Sequence, residues 1–520
     1  MTLKYLNVID DATEPGRREL FRFGIALVFI IGILLYTGAR FGDVSFLLVV
    51  AGIVGGYMAM NIGANDVANN VGPAVGARAL TMAGAILIAA VCEAAGALIA
   101  GGDVVGTIRN GIIAPDAVAA ADVFVWLMLA AMLAGALWLN IATAVGAPIS
   151  TTHSIVGGVL GAGVAAGGWS VVDWVKVGQI AASWIISPLF GGIIAAAFLL
   201  LIKRTITYKT DVTEAAARVV PLLIAAMTWA FSTYLVLKGL KHVVRLGFLP
   251  ALAIGLALAV GVLALSRPLV ARAARALPND KRSVNRLFTV PLIFAAALLS
   301  FSHGANDVAN AVGPLAAIHD AVLAGAVGHE ARIPPWIMLV GAIGIAIGLA
   351  LYGPRLIRTV GSEITDMDQM RAFSIAMAAA TTVLVASQLG LPVSSTHIAV
   401  GGVFGVGFLR EYIKSSHVNM LLEIRHHHQG ADQGVVEEFL GHYEKATLEQ
   451  KAAMLADLKR QSAVSPLSPA ERKMLKKAYR KALVKRTALL KIVAAWLITL
   501  PVSGLMAALL YFTIRGMLLP

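Results

Sequence analysis

Hydrophobic positions in this chain do not alternate with polar ones at the period of an amphipathic helix or strand. They run on for the thickness of a bilayer and then give way to short polar links. Apolar runs with few charges fall at roughly 23–38, 46–64, 79–101, 122–146, 150–168, 178–202, 217–237, 246–266, 287–305, 336–353, 371–391, 395–409 and 489–514. A helix needs roughly 20 such residues to cross the hydrocarbon core. The pattern therefore predicts an all-α polytopic membrane protein with about 12–13 transmembrane helices. Its glycine-rich segments are expected to be broken or re-entrant, since irregular backbone survives at membrane depth only inside protein.

The pattern also repeats. "GANDVANNVGP" occupies 63–73 and "GANDVANAVGP" occupies 304–314, so Asp66 and Asp307 stand 241 residues apart. A second pair follows, "PISTTHSIVGG" from Pro148 and "PVSSTHIAVGG" from Pro392, and "SWIISPLFGG" from Ser183 has a weaker echo in "AWLITLPVSG" from Ala495. Seven spans separate the two aspartate motifs. Seven is odd, so the copies face opposite ways, and inverted-topology repeats with broken helices at the midplane are the build of secondary transporters.

These marks divide the chain into six parts. Residues 1–45 form an N-terminal cytoplasmic segment and first helix, 46–202 a first transport repeat, and 203–286 linking helices with a basic cytoplasmic loop. Residues 287–410 begin the second repeat, 411–488 form a basic, partly helical cytoplasmic insertion, and 489–520 complete the second repeat. Capping boxes at "TLEQ" (447–450) and "SPAE" (468–471) place helices in the insertion. His426–His428 reads as part of a solvated loop, because no cysteine or carboxylate spacing supports a metal site.

Composition agrees: 520 residues are 58% hydrophobic and only 14% charged. The net charge of +13 changes the picture only through its placement. The Lys and Arg clusters, among them Lys203, Arg204, Lys209, Arg355, Arg358 and Arg371, fall in links on one side, so no nucleic-acid partner is expected. The positive-inside rule puts that side and the N-terminus in the cytoplasm, for a multi-pass protein of the cytoplasmic (inner) membrane embedded in lipid. Arg17, Arg18 and Arg22 precede the first span and no small-residue cleavage site follows it, so an uncleaved start helix is expected. The single Cys92 excludes a disulfide within the chain.

An aspartate at membrane depth costs roughly 2.5–3.5 kcal/mol on insertion scales. A helix break needs glycine and amides but no carboxylate, so Asp66 and Asp307, with Asn65, Asn69, Asn306 and Asn310 at matching offsets, are candidate ligands for a hard cation or a proton. In the P-[IV]-S-[ST]-T-H motifs, Ser150 and Ser394 are expected helix caps. With Thr151, Thr152, Ser395 and Thr396 they open an anion site at a positive dipole end. His153 and His397 either contact the ligand or are satisfied by a backbone group.

Glu93 lies in an apolar run and is a further candidate for cation or proton coupling. Arg109 and Arg358 are read as loop residues, solvated or guiding an anion, and Trp184 and Trp496 as packing or interface anchors. Neither motif holds a Lys or Arg. An oxyanion beside two ionised aspartates needs a positive partner, which favours coupled uptake with Na⁺ or H⁺ over an anion pore with basic rings. No other cofactor is called for.

"GANDVAN" twice, "PISTTH", "PVSSTH", "TIRNGI" after Glu93 and "FSHGANDVANAVGP" together closely resemble the inorganic phosphate transporter (PiT) family of cation-coupled phosphate symporters. The resemblance covers roughly 46–202 and 287–514. It implies a two-repeat helical fold, a homodimer, and inorganic phosphate moved with Na⁺ or H⁺ by alternating access. It also implies phosphate and cation sites at Asp66, Asn69, Asp307 and Asn310 and at the hydroxyl run Ser150, Thr151, Thr152, Ser394, Ser395 and Thr396. One departure concerns the coupling ion: Glu93 matches the first-repeat glutamate, while family members often carry a second where Ala376 stands. Sulfate is the alternative cargo, although phosphate retains a proton to donate to an aspartate and sulfate does not. A phosphatase acting on a lipid pyrophosphate is the alternative from another class, and it would need clamping arginines that the motifs lack.

Overall fold

The structure is a computed structural model and describes residues 3–42, 45–114, 118, 120–147, 149–239, 246–324, 333–363, 367–426 and 486–518. The first half of the chain contributes α1 (Leu3–Phe41), α2 (Phe46–Asn65), α3 (Ala68–Gly76), α4 (Met82–Ala100), α5 (Gly102–Asn110), α6 (Ala121–Val145), α7 (Thr151–Gly167) and α8 (Trp174–Ile202). A linking hairpin follows, α9 (Val212–Gly239) with α10 (Phe248–Arg275), then the short α11 (Lys281–Leu287). The second half runs through α12 (Thr289–Asp307), α13 (Ala309–Ala324), α14 (Pro335–Glu363), α15 (Gln369–Gln388), α16 (Ser395–His426) and α17 (Arg486–Leu518).

Among the described residues, 11 helical stretches are long and apolar enough to cross a membrane, against the 12–13 expected. The two that fall short are the helices opened by the hydroxyl motifs. α7 has only 17 residues, about 25 Å at 1.5 Å per residue. The apolar run of α16 ends at Arg410 and Glu411. Both runs are short because the residues just before each are non-helical: helix begins only at Thr151 and Ser395, just after the capping serines.

Both aspartate motifs interrupt their helices, as expected. α2 stops at Asn65 and α3 resumes at Ala68, while α12 stops at Asp307 and α13 resumes at Ala309. Each interrupted helix is packed by a helix from the other half, backbone to backbone. A methyl group on Gly63 would lie 1.9 Å from the carbonyl oxygen of Ile345, and one on Gly348 would lie 1.8 Å from that of Met60. The same crossing recurs for Gly304 against Glu93 at 2.1 Å and Gly96 against Phe301 at 2.0 Å. α14 thus covers α2, and α4 covers α12. This matching makes Ile345 on α14 the counterpart of Glu93, not Ala376, which is buried on α15.

Small residues set a second mirrored pair of crossings. A methyl group on Gly161 of α7 would lie 2.0 Å from Gly504 O of α17, and one on Gly405 of α16 would lie 2.0 Å from Gly192 O of α8. Close backbone approach of this kind is how helices associate where lipid offers no hydrophobic drive. Only 17% of the apolar windows of α1 and α10 is buried, so both turn outward. The insertion's expected capping boxes, with His427 and His428, lie outside the described residues.

Candidate functional site

The two hydroxyl motifs begin helices as their composition requires. Ser150 Oγ accepts the backbone N–H of His153 at 3.1 Å and Ser394 Oγ accepts that of His397 at 3.3 Å, so both serines act as caps. The turns before them are held by Asn65 and Asn306. Asn65 donates to Thr143 Oγ1 (3.0 Å) and Ala147 O (3.2 Å) and accepts from Ile149 N (3.1 Å). Asn306 donates to Ser387 Oγ (3.0 Å) and Leu391 O (3.1 Å) and accepts from Val393 N (3.3 Å). Each amide thus donates twice and accepts once. Asn65 and Asn306, which the sequence reading placed on the cation, thus hold the turns before Ser150 and Ser394 in this structure.

Asp66 is 1% exposed and joins the halves. Its Oδ2 accepts from Thr151 at 2.6 Å, in the same half, and its Oδ1 accepts from Thr396 at 2.8 Å, in the other. Asn69 also donates to Thr396, at 2.8 Å, and Asn310 donates to Thr151 (3.0 Å) and Thr152 (3.3 Å). Thr152 in turn donates to Val393 O at 3.0 Å. Asp66, Asn69, Asn310, Thr151, Thr152 and Thr396 thus form one buried hydrogen-bonded network drawn from all four motifs.

Asp307 is held differently. Ser395 reaches its Oδ2 at 3.3 Å, and Nε2 of His303 lies 2.8 Å from the same oxygen. Its Oδ1 has no hydrogen-bond partner, and neither do Oδ1 of Asn69, Asn70 and Asn310. Buried polar atoms are nearly always paired; these four oxygens are acceptors, the donor set of a hard cation, and His303 Nε2, although 2.8 Å from Asp307 Oδ2, also makes no hydrogen bond of good geometry. One ligand atom each from Asp66, His303 and Asp307 lie within 4.8 Å of one another.

Glu93 is fully buried and satisfied from both halves. Asn70 donates to its Oε1 at 2.7 Å, and Nδ1 of His303 meets its Oε2 at 2.6 Å. His303 therefore bridges Glu93 and Asp307. The sequence reading missed His303, Asn70, Thr143 and Ser387. The signal for His303 was present: it stands one helical turn before Asp307, on the same face, in a run where Ser300 and Ser302 are the nearest other polar residues before it.

The remaining candidates sort clearly. His153 Nδ1 meets Ser150 Oγ at 2.7 Å, and its ring stacks on Trp184 with centroids 3.7 Å apart. His397 lies on Trp496 at 3.6 Å, and the two imidazoles are 4.5 Å apart, so four rings form one column between the halves. Trp184 and Trp496 are packing residues, as expected. Arg109 is not a loop residue. It lies buried on α5, ion-paired with Asp320 of α13, and a guanidinium held there takes the place of solvent for both charges. Arg358 is exposed near the end of α14.

Comparison with known proteins gives consistent matches. The model of the Phosphate transporter family matches residues 62–507. A Helicobacter pylori (strain J99) protein, provisionally named a phosphate permease, is 52% identical over 524 residues covering 98% of each chain. A Thermococcus kodakarensis protein of the same provisional name is 39% identical over 373 residues, 70% of this chain and 89% of that one. A solved structure titled "The sodium-dependent phosphate transporter" superposes with a TM-score of 0.73 at 31% identity, covering 91% of this chain and all of the other.

Proposed function

The chain belongs to the phosphate transporter family, and from that membership we propose a cation-coupled phosphate symporter with a single central site shared by two inverted repeats. The observation that carries this reading is the carboxylate of Asp66, held at once by Thr151 of its own half and Thr396 of the other. A ligand bound there touches both halves, so a rocking motion between them exposes it to one membrane face or the other.

Phosphate is the cargo that suits this cluster. The hydroxyls of Thr151, Thr152, Ser395 and Thr396 supply neutral donors once each turns its single O–H from Asp66, Val393 O or Asp307 to the anion, and the free N–H groups at the starts of α7 and α16 supply positive dipole ends. A phosphate that still carries a proton donates it to a carboxylate oxygen, which sulfate at neutral pH does not do. Repulsion between the anion and Asp66 or Asp307 makes binding conditional on a cation between them. The bare oxygens of Asn69, Asn310 and Asp307 suit Na⁺ as that co-substrate, and the titled dependence of the structural neighbour supports it. A proton is the second reading, favoured by one observation: His303 sits between two carboxylates, Glu93 and Asp307. Basic links after α8 and along α16 orient the N-terminus to the cytoplasm.

The deciding experiment is uptake of radiolabelled phosphate into proteoliposomes with sodium and proton gradients imposed separately and sulfate as competitor. Sodium-driven accumulation, unaffected by sulfate, is expected. Phosphate movement with no dependence on either gradient overturns the symport reading, and accumulation driven by the proton gradient alone selects the second.

A further inference from the structure

Two cavities flank the central cluster in matching places with opposite chemistry. One, of about 660 Å³, lies between α1, α2, α6 and α14 and is lined by Arg22, Tyr57, Asn61, Asn140, Tyr352 and Arg355, among others. The other, of about 330 Å³, is bounded by α9, α10, α12 and α15. The repeat offsets pair their walls: Tyr57 corresponds to Leu298, Asn140 to Leu384 and Ala144 to Gln388. The second cavity has no ionisable lining residue except Tyr234, whereas the first has two guanidiniums against one carboxylate, Glu19.

The larger cavity approaches the site through the turn before Ser150. Its wall includes Asn61, Ala64 and Thr143, and Thr143 bonds Asn65, the amide that holds the turn before Ser150. Arg355 donates to Ala144 O at 3.1 Å and lies beside Gly146, where a left-handed backbone (φ 75°) ends α6 and turns the chain toward that same motif. Arg22 pairs with Glu19 at the rim. α1, which brings both residues, precedes the part of the chain that the family model matches.

Resting on the symporter reading above, we propose that this cavity is a second phosphate-binding site. It is an antechamber between the central cluster and the membrane face that carries the start of α1, and Arg22 and Arg355 are its charged donors. Guanidinium is the group whose fork matches phosphate oxygens, and Tyr57, Asn61, Asn140 and Tyr352 add neutral hydrogen-bonding groups in the same space. An arriving anion competes with Glu19 for Arg22, so the rim holds phosphate without trapping it. The opposite cavity offers no charged counterpart, so the two faces of the carrier bind phosphate unequally.

The test uses the full chain in phosphatidylcholine vesicles, measuring the KM for inorganic phosphate separately at each face. Arg355→Gln and Arg22→Gln should each raise KM at the α1 face about tenfold, the scale of one lost charge-assisted hydrogen bond, and leave KM at the other face unchanged. Asn140→Leu, which copies Leu384, should act in the same direction without removing a charge. A rise of equal size at both faces means that Arg355 only braces the turn before Ser150, and it overturns the proposal, as does no change at either face. A parallel arm adds phosphatidic acid. If that lipid alters the wild-type KM at the α1 face and the variants lose only this effect, the occupant is a lipid headgroup and the proposal falls. Wild-type protein that moves no phosphate removes the symporter reading itself, and this inference with it.

Discussion

Nδ1 of His303 lies 2.6 Å from Oε2 of Glu93, joining α12 to α4 across the two halves of the chain. The matching positions of the other half are Ile62 and Ile345, both fully buried. A hydrogen-bonded polar pair on one side is thus replaced as a pair by two apolar residues on the other. Removing one partner of such a buried pair strands the second, at a cost of about 3–5 kcal/mol. Glu93→Ile or His303→Ile alone should lower the unfolding transition in detergent steeply, while the double variant, which copies the first half but leaves Asn70 and Asp307 without these partners, should lose clearly less than the sum of the singles. A double variant as unstable as the sum of the singles would contradict this pairing.

Asp66 and Asp307 should fail in different ways when neutralised. Asp66 accepts two hydroxyl bonds, and Asp66→Asn should cut uptake about a hundredfold, the equivalent of two charge-assisted hydrogen bonds. Asp307 keeps a bare oxygen, so Asp307→Asn should raise the cation concentration needed for half-maximal uptake more than it raises the KM for phosphate. Uptake titrated against each co-substrate separates the two. Equal effects on both titrations in both variants would count against separate roles.

Because Thr151 and Thr396 hold the same carboxylate from opposite halves, their effects should not add. Thr151→Val and Thr396→Val are each expected to reduce uptake about tenfold, with the double variant little worse than the singles. Thr396→Ser, which keeps the hydroxyl, should transport nearly as wild type. Strict additivity would mean that the two residues serve separate sites.

The glycine crossings make a stability prediction independent of transport. A methyl group at Gly348 meets the backbone of Met60 at 1.8 Å and cannot be accommodated without separating α14 from α2. Gly348→Ala should destabilise by more than about 3 kcal/mol, in the range of severe overpacking. Gly106→Ala, with nothing within 4 Å, should be near neutral. Thermal unfolding of the two purified variants compares them directly.

Much of this was legible in the sequence because membrane burial makes polar residues conspicuous. Asp66, Asp307 and the hydroxyl runs stood out where each is costly, and their duplication made one shared site the economical reading. The roles of Asn65 and Asn306 were not legible, since nothing in "GAND" tells a ligand from a clamp on a turn more than 80 residues away. Nor was the partner exchange between halves. Offsets showed that segments repeat, but Gly63 meeting Ile345 depends on which helices cross, and small residues permit a crossing without naming the partner. His303 went unread for a different reason: attention to what the two motifs share passes over a residue present in only one.

The crossing of Gly63 with Ile345 has a consequence for how the protein is made. The partner of α2 is synthesised some 280 residues after it (63 to 345), on the order of tens of seconds at ribosomal speed. Throughout that interval the newborn first half carries Asp66 into the bilayer without the helix that will cover it or the Thr396 that will bond it. Translation of this chain therefore includes a waiting period, in which the insertion machinery must shelter an unfinished and polar half-molecule until its other half arrives.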